Sequence, residues 1–296
     1  MLLIERLKHT SFSGAEQALV SYLTDYPEKL QDMTTQKIAD LTHTNPTSLI
    51  RVAKKMGFTG WIDLKEAYLE EWHYLNSHFT AIDANLPYEQ TDHLISIAHK
   101  ISTLQQNTLQ DTLSLITSKD LDYAQKLLLD ADEIKVFASQ TNALIAQDFV
   151  TKMRRINKKV TISSTYDYST YEAFNSSKKT CALIISYTGE DDSFIKCMDI
   201  LKKNGASTIS LTSIGNNPIA THSDCSLKIT TREKLYSKIG NFTSTTSVIY
   251  LLNLLYSIVF TADYEMNLNH LIQIGRSTDI RKTSIDIIKE QPSSDK

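Results

Sequence analysis

The feature that most restricts how this chain can fold is an alternation of short β-rich runs with helical segments through its second half. The runs cover 134–138 (IKVFA), 159–163 (KVTIS), 181–186 (CALIIS), 207–212 (STISLT) and 225–230 (CSLKIT). Strands that are separated by helices run parallel, because a crossover helix returns the chain to the same end of the sheet. The second half is therefore predicted to be an α/β domain with a five-stranded parallel sheet and helices on both faces.

The loops that follow the predicted strands are the first candidates for function, because ligands of parallel α/β sheets bind outside the carboxyl ends of the strands. Three of these loops are rich in hydroxyl and amide groups, and two lead into helices whose first N–H groups attract anions. The candidate effector-binding residues are Ser139, Asn142, Ser186, Thr188, Gly189 and Thr212. The residues alone leave a second interpretation open, in which the Ser and Thr side chains only cap helices.

The first 75 residues have a different period, with apolar residues three and four positions apart, as in amphipathic helices. Helices are predicted over 13–26, over 35–41 and from Pro46 to a stop at Gly57. Asn45 strengthens the third helix start, since its side chain accepts hydrogen bonds from free N–H groups and Pro46 loses no hydrogen bond there. Two short helices joined by a tight turn predict an all-α helix-turn-helix, whose second helix fits a DNA major groove.

The predicted second helix of this pair carries small polar side chains at its start and basic ones further along. Such side chains bind base edges and phosphates, so the candidate DNA-binding residues are Asn45, Thr47, Ser48, Arg51, Lys54 and Lys55. Charge does not decide the matter, because residues 1–75 contain eight Lys and Arg residues against ten Asp and Glu residues, and the whole chain has a net charge of −3. DNA contact would have to be local. A small helical bundle with a solvated charged face is the alternative.

The length of 296 residues suits two domains, and 41% hydrophobic residues are enough for each to fold around a core. We predict a DNA-binding domain over 1–75, a helical linker over 76–107 and an effector-binding and dimerisation domain over 108–290. The linker is poor in Gly and has helical periodicity, which predicts a semi-rigid connection. The last six residues, 291–296, are expected to form a frayed tail.

Signals for targeting and for metal binding are weak. The N-terminal sequence has neither the long apolar core nor the cleavage site of a signal peptide, so a cytoplasmic protein is expected. The apolar stretch 248–262 is interrupted by polar residues and too short for a bilayer, and it is predicted to be a buried helix. Cys181, Cys197 and Cys225 have no CxxC spacing, which favours buried thiols over a disulfide framework or a zinc site. Nothing in the sequence calls for a cofactor.

The segment TTQKIADLTHTNPTSLIRVAKKMGFTGWIDLKEAY at 34–68 closely resembles the helix-turn-helix of the RpiR family of bacterial regulators. The family's pattern is an Arg, a Lys-Lys-hydrophobic-Gly-Phe element and a downstream Lys, and the positions in register with it are Arg51, Lys54, Lys55, Gly57, Phe58, Gly60 and Lys65. The resemblance implies that this domain binds double-stranded DNA and regulates transcription. Thr44 and Asn45 replace the family's Val-Ser pair at the turn, which keeps the cap and predicts a difference in the bases read.

The second domain resembles the sugar isomerase (SIS) domain that usually follows this helix-turn-helix, which implies a flavodoxin-like fold. ISYTG at 185–189 matches the family's Ile-Ser-x-Ser-Gly element with Thr188 for Ser, and Asp224 within NPIATHSD stands at the family's Asp. The resemblance implies control of carbohydrate-related genes by a sugar-phosphate-like effector. It also implies a homo-oligomer, a dimer or a tetramer, because helix-turn-helix proteins read paired half-sites and SIS domains self-associate.

Two departures from the family pattern concern the phosphate group. The family's first loop carries Gly-x-Gly-x-Ser, whereas this chain has Ala138, Gln140 and Asn142, and the loss of both glycines hinders the approach of backbone to a phosphate. Asp191 stands where a Thr often helps to bind the phosphate, and its charge would repel one. The sequence therefore leaves open an effector that has no phosphate or has a different shape, or a domain that serves mainly as a dimeriser.

A sugar-phosphate isomerase with an appended helical domain is the alternative function, since SIS-domain isomerases need a Glu or His as general acid or base. Glu233, His222 and His270 are the available candidates, and no pairing among them can be read from the sequence. The attached DNA-binding domain and the altered first loop favour a regulator that is not an enzyme. A dimeric DNA-binding protein with a vestigial effector pocket is the third possibility.

Overall fold

The computed structural model describes residues 2–76, 82–163 and 166–290, and the predicted tail at 291–296 lies outside these ranges. Its N-terminal part is all-α. The helices are α1 (Leu3–His9), α2 (Gly14–Asp25), α3 (Thr35–Leu41), α4 (Pro46–Lys55) and α5 (Trp61–Asn76). The three helices predicted for the helix-turn-helix region are confirmed as α2, α3 and α4.

The starts of α3 and α4 are fixed by side-chain caps. Thr34 Oγ1 accepts a hydrogen bond from the N–H of Lys37 at 3.3 Å, and Asn45 Oδ1 accepts one from the N–H of Thr47 at 3.0 Å. Each cap satisfies a donor that no helical carbonyl can reach. The inward faces of these helices share one buried apolar cluster with α2 and α5, which includes Leu19, Leu23, Ile38, Leu49, Val52 and Leu64.

Helix α5 closes this bundle and then leaves it. The Glu71 carboxylate accepts the N–H groups of Leu3 and Ile4 at the start of α1, each at 2.7 Å. The buried Tyr68 hydroxyl donates to the carbonyl of Leu23 at 2.9 Å. Beyond these contacts the last turn of α5 reaches the second part of the chain, where the Tyr74 side chain is buried.

The second part is built on a five-stranded sheet. Two helices, α6 (Leu94–Ser114) and α7 (Ser118–Asp130), precede it. The strands are β1 (Glu133–Ala138), β2 (Val160–Ser163), β3 (Thr180–Ser186), β4 (Ser207–Ser213) and β5 (Cys225–Ile229). The helices between and after them are α8 (Gln140–Arg155), α9 (Tyr166–Phe174), α10 (Asp192–Lys203), α11 (Pro218–His222), α12 (Phe242–Ala262) and α13 (Tyr264–Thr278).

All neighbouring strands pair in parallel, in the order β2-β1-β3-β4-β5. This is the strand order of flavodoxin-like doubly wound sheets. All five predicted strands are confirmed, and so is the α/β fold class. The sequence is sufficient for this result because the strands are short β-rich runs between segments with helical periodicity.

All seven residues of the central strand β3 are buried, and the five between Thr180 and Ser186 are apolar. Successive side chains of a strand point to opposite faces. Leu183 and Ile185 pack in a cluster with α7, α8 and α12, whereas Ala182 and Ile184 pack in a cluster with α9, α10 and α11. Helices therefore cover both faces of the sheet, as predicted.

Helix α12 begins at Phe242 and is longer than the apolar stretch 248–262 that the sequence indicates. Among the described residues it is the one helix long and apolar enough to cross a membrane. Its side toward the sheet carries Leu251 and Leu255, which are fully buried, and Val259, which is almost so. The prediction of a core helix is confirmed for this face, whereas the opposite face, with Ile249 43% exposed, is not buried within the chain.

Helix α6 runs without a break across positions 107 and 108, where the sequence places the end of the linker. The predicted domain limits therefore stay a prediction.

The three cysteines are buried free thiols, as expected. Burial raises the pKa of the Cys181 thiol to about 12 and that of Cys225 to about 11, which keeps both thiols protonated and unreactive.

Candidate DNA-binding surface and effector site

The exposed face of α4 carries most of the predicted DNA-binding residues. Five of the six side chains are exposed, namely Asn45, Thr47, Arg51, Lys54 and Lys55. Ser48 is the exception, with only 7% of its surface exposed. It precedes the buried Val52 by four residues, which places both on the inward side of the helix. In this orientation of α4, Ser48 packs against the core of the bundle and does not face solvent.

The turn before α4 is held by short side-chain contacts. The hydroxyl groups of Thr42 and Thr44 lie 2.9 Å apart, and His43 between them has a φ of 52°. Asn45 Oδ1 also accepts the Thr47 hydroxyl at 3.0 Å, in addition to its backbone N–H. The cap therefore orients Asn45 and Thr47 together at the N-terminus of the helix.

The basic residues of α4 differ in how firmly they are held. Lys55 Nζ lies 3.8 Å from the Glu16 carboxylate and 5.0 Å from the centroid of the Phe12 ring. Within the described residues, Arg51 and Lys54 form no ion pair within 4 Å. Arg51 and Lys54 are thus the cations that this face offers to a polyanion.

The three candidate effector loops lie side by side because their strands are neighbours. Ala138 pairs with Ile185, and Ser186 pairs with Thr212. This register places Ser139, which follows β1, in the same row as Ser186 and Thr212 at the carboxyl edge of the sheet. The row lies at the point where the strand order reverses between β1 and β3, which is the usual ligand position in such sheets.

The loop after β1 leads directly into α8. Ser139 and Asn142 are both partly exposed, and the Ser139 side chain makes no capping hydrogen bond to α8. Gln140 adopts a φ of 48°, a left-handed conformation that glycine favours and that the family's glycine at this position would adopt without strain.

The loop after β3 is tied by its own hydroxyl groups. Ser186 Oγ accepts the N–H of Gly189 at 3.3 Å, and Thr188 Oγ1 accepts the N–H of Glu190 at 3.2 Å. Gly189 has a φ of 66°, and a Cβ there would lie 2.0 Å from Asn217 Oδ1 and 2.6 Å from Thr212 Oγ1. Only glycine fits this place.

Thr212 lies beneath this loop and is fully buried. Its hydroxyl has no hydrogen-bond partner among the described residues, and an unsatisfied buried hydroxyl is costly. A ligand would touch Thr212 only after the Gly189 loop moves. The proximity of Thr212 to Ser186 was predicted from the parallel strands, whereas its cover by Gly189 was not.

The start of α10 is capped by Asp191. Its Oδ1 accepts the N–H groups of Ser193 at 2.9 Å and Phe194 at 3.4 Å, and also the Ser193 hydroxyl. Glu190 and Asp192 flank it, and all three acids are exposed. The amides that would attract an anion at this helix start therefore already bind a carboxylate.

Two further residues at this edge were not predicted in their actual roles. The Tyr187 hydroxyl donates to the carbonyl oxygen of Glu233 and accepts its N–H, both at 3.0 Å. Burial raises the pKa of Tyr187 to about 12. Adjacency to Ser186 was the only signal for Tyr187, because its partner lies 46 residues away in the sequence.

Glu233, predicted as a possible acid or base, holds the start of α12. Its Oε1 accepts from the N–H and hydroxyl of Thr243 at 2.6 and 2.9 Å and from the N–H of Ser244 at 3.0 Å. Its Oε2 accepts from the Ser244 hydroxyl at 2.7 Å and pairs with Lys238 Nζ at 3.1 Å. This carboxylate is a buried helix cap with a full set of partners.

The other two acid–base candidates lie on separate helices. His222 ends α11, is exposed, and has its Nδ1 2.7 Å from the carbonyl oxygen of Pro218. His270 lies on α13. Within the described residues no hydrogen bond joins any two of Glu233, His222 and His270. The structure does not bring these three candidates together as a catalytic pair.

Comparison with known proteins matches both halves of the chain. A model of the helix-turn-helix domain of the rpiR family matches residues 1–73, and a model of the SIS domain matches residues 127–258. The architecture is that of a regulator with a DNA-binding module and a sugar-isomerase-like module. An HTH-type transcriptional regulator of Caldanaerobacter subterraneus is 23% identical over 282 residues, which cover 95% of this chain and 98% of that protein. YbbH of Bacillus subtilis, also an HTH-type transcriptional regulator, is 23% identical over 271 residues, which cover 92% and 94%.

Solved structures give the same fold. NanR of Vibrio vulnificus in complex with ManNAc-6P has a TM-score of 0.57 and 19% identity, covering 93% of this chain and 97% of that one. The sugar isomerase domain of an RpiR transcription factor from Sphaerobacter thermophilus has a TM-score of 0.54 and 19% identity, covering 60% and 98%. The chain belongs to the RpiR family of DNA-binding transcriptional regulators.

Proposed function

We propose that the chain binds operator DNA through the exposed face of α4 and adjusts that binding in response to a carbohydrate-derived effector held by the loops after β1, β3 and β4. The observation that carries the effector site is the register that aligns Ser139, Ser186 and Thr212 at the reversal point of the sheet. The hydroxyl groups of this row, together with the Asn142 amide on α8, suit a polyhydroxyl ligand, since each can donate and accept hydrogen bonds.

The DNA-binding part of the proposal rests on exposure and charge. Asn45 and Thr47 lie at the N-terminus of α4, where a recognition helix meets base edges, and Arg51 and Lys54 follow on the exposed face. Lys55 Nζ lies 3.8 Å from the Glu16 carboxylate, so a contact of Lys55 with the phosphate backbone would compete with this pair. Two copies of the chain would read paired half-sites, so we propose a cytoplasmic homo-oligomer, a dimer or a tetramer.

A sugar phosphate is the first candidate for the effector, because NanR, of similar fold, forms a complex with ManNAc-6P. A sugar without a phosphate is the second candidate, and the cap of α10 favours it. Asp191 already binds the first amides of that helix, with Glu190 and Asp192 beside it. A phosphate at this helix start would have to displace or oppose a carboxylate.

The experiment is a thermal-shift screen of the full chain with matched pairs of sugars. N-acetylmannosamine, N-acetylglucosamine, glucosamine, glucose and fructose are each tested beside their 6-phosphates. We expect at least one compound to raise the midpoint of unfolding by about 3 °C or more, because a ligand that binds only the folded state stabilises it. The member of the pair that acts decides between the two candidates.

Each hit is then tested for its effect on the affinity for a DNA duplex that the protein selects from a random library. A hit that changes this affinity supports the sensor. The double variant Ser186→Ala with Thr188→Val should bind the duplex like the wild type and lose the response to the hit. A response that persists in this variant would place the effector elsewhere, and a screen without hits would favour a vestigial pocket.

We also propose that the chain is not an enzyme. The Glu233 carboxylate is occupied by Thr243, Ser244 and Lys238 and so lacks a lone pair directed at a substrate. Incubation of each sugar 6-phosphate with the protein, followed by chromatography of the sugars, tests this. Conversion of any of them at a rate proportional to protein concentration would support the isomerase alternative.

A further inference from the structure

A short segment at 230–233 contacts both the effector loops and the DNA-binding module. We propose that this segment couples the state of the loops after β3 and β4 to the placement of α5, and through α5 to the DNA-binding module. The inference rests on the proposed function, since it assigns the route by which effector binding would change DNA binding.

The segment meets the effector loops at two points. Tyr187, in the loop after β3, hydrogen-bonds both the carbonyl and the N–H of Glu233 at 3.0 Å. Ile214, in the loop after β4, donates its N–H to Thr231 Oγ1 at 2.9 Å. The loop after β3 contains the predicted effector-binding residues Thr188 and Gly189, and the loop after β4 follows the predicted residue Thr212 at the end of that strand. A loop that moves to admit a ligand would therefore change its contacts with this segment.

The segment meets the DNA-binding module at the end of α5. The N–H of Thr231 donates to the Tyr74 hydroxyl at 2.6 Å. The Arg232 guanidinium donates to the carbonyl oxygen of Leu75 at 3.0 Å and to that of Tyr74, and it lies 4.6 Å from the centroid of the Tyr74 ring. The last carbonyls of a helix have no partners within it, so a guanidinium fork suits this position.

Arg232 is also held by a buried carboxylate on α6 and by a residue in the connection between α5 and α6. Asp111 on α6 has a fully buried side chain and lies 3.5 Å from the Arg232 guanidinium. Asn85, beyond α5 in the chain, donates from Nδ2 to the carbonyl of Arg232 at 3.3 Å and accepts the N–H of Lys234 at 2.7 Å. Arg232 is thus held by α5, α6 and the connection between them.

Consecutive residues therefore bond the sensor loops on one side and the DNA-binding module on the other. Thr231 does both, through its hydroxyl and its N–H. This network transmits a change only if the loops with effector and the loops without effector interact with the 230–233 segment with different free energies. Coupling is reciprocal, so DNA binding must alter the effector loops as effector binding alters DNA affinity.

Reciprocity allows a test that needs no identified effector. Hydrogen–deuterium exchange of the full chain is measured with and without a saturating duplex selected from a random library. We expect the duplex to change exchange in 186–190 and 212–217 by about fivefold in the wild type. Tyr74→Phe and Tyr187→Phe each remove one hydroxyl from the network, and each should reduce this change below about twofold.

Tyr68→Phe is the matched control, because it removes a buried tyrosine hydroxyl bond, to Leu23, inside the DNA-binding module alone. It should keep the wild-type response of both loops even if it lowers thermal stability as much as Tyr74→Phe does. A duplex that leaves the loops unchanged in the wild type, or changes them equally in Tyr74→Phe and Tyr68→Phe, overturns the inference.

Failure of the proposed function has a separate signature, which is that no duplex is selected. Coupling is then read in the free protein by amide exchange followed with two-dimensional NMR. Tyr74→Phe should speed exchange at the amides of Ile214 and Glu233, whose hydrogen bonds go to Thr231 and Tyr187, by about fivefold, whereas Tyr68→Phe should not. Unchanged exchange at these two amides would overturn the inference in that case also.

Discussion

The two candidate sites differ in how their side chains are used by the fold. On α4, five of the six predicted DNA-binding side chains are exposed. At the carboxyl edge of the sheet, Ser186, Gly189 and Thr212 are buried and pack on one another. A helix can expose one face while the other forms a core, whereas strand ends in a central sheet are covered from both sides. Substitutions on the exposed face of α4 should therefore change DNA affinity without changing the free energy of unfolding. Substitutions among the buried residues of the effector site should change both effector binding and the free energy of unfolding.

The largest effect is expected from Glu233→Ala, at the sensor edge. The change removes the acceptor for Thr243 and Ser244 and leaves Lys238 without its partner in a site where it is mostly buried. Loss of one member of a buried charged pair costs about 3–5 kcal/mol of the free energy of unfolding. Urea denaturation measures it, with the exposed Glu190→Ala as the control, which should stay within about 0.5 kcal/mol of the wild type. A cost below about 1 kcal/mol would show that this edge is not a packed unit.

Gly189→Ala should destabilise the sensor by about 2–4 kcal/mol, because it combines a left-handed backbone with overpacking against Asn217 and Thr212. Gly205→Ala is the matched control. Gly205 has a similar φ of 74°, and a Cβ there would meet Lys178 only at 3.6 Å, an ordinary contact. The control should cost about 1–2 kcal/mol from the backbone alone. Equal costs at the two positions would mean that the loop shifts freely and that Thr212 is not enclosed.

Arg51→Ala tests the DNA-binding surface, where we expect affinity to change without stability. The side chain is exposed and forms no ion pair within 4 Å among the described residues. We expect a loss of about 1–3 kcal/mol in affinity for a selected duplex and a change within about 0.5 kcal/mol in the free energy of unfolding. Fluorescence anisotropy and urea denaturation measure the two quantities. Lys203→Ala, an exposed cation on α10, serves as the control and should alter neither. Unchanged affinity in Arg51→Ala would remove α4 as the recognition helix.

The smallest effect is expected from Asn45→Ala, which removes the cap of α4. The Asn45 oxygen binds the N–H and the hydroxyl of Thr47, both at 3.0 Å, and loss of such a cap costs about 1 kcal/mol of stability. Asn45→Asp keeps the capping oxygen and should be about as stable as the wild type. If both variants are equally destabilised, the side-chain amide nitrogen, and not the cap, is what stabilises this position.

Local signals in the sequence were enough for the helix-turn-helix, the five strands and the family, but not for α1 and α13. The five strands, the caps of α3 and α4 and the row of loops at the sheet edge all follow from periods and turn chemistry within about twenty residues. The inward position of Ser48 could also have been predicted, since Val52 lies one helical turn further on.

What the sequence did not predict depends on contacts between distant positions. Glu233 was considered as an acid or base, and its use as the cap of α12 depends on how the segment after β5 folds back. The Tyr74 hydroxyl meets Thr231 across 157 residues of sequence. No period or spacing encodes such a pair, so the connection between the two modules became visible only in three dimensions.

The bonds from Arg232 to α5 end on main-chain carbonyls of Tyr74 and Leu75, which every amino acid supplies. Leu75 can therefore vary without loss of its bond, as long as the helix keeps its length and position, whereas Tyr74 must stay because its hydroxyl and ring also contact this segment. A DNA-binding module that reads a different operator could be grafted onto this sensor at the end of α5 and still dock in the same way, provided that it keeps this tyrosine. Such exchange would let a lineage change the genes it regulates while it keeps the metabolite to which it responds.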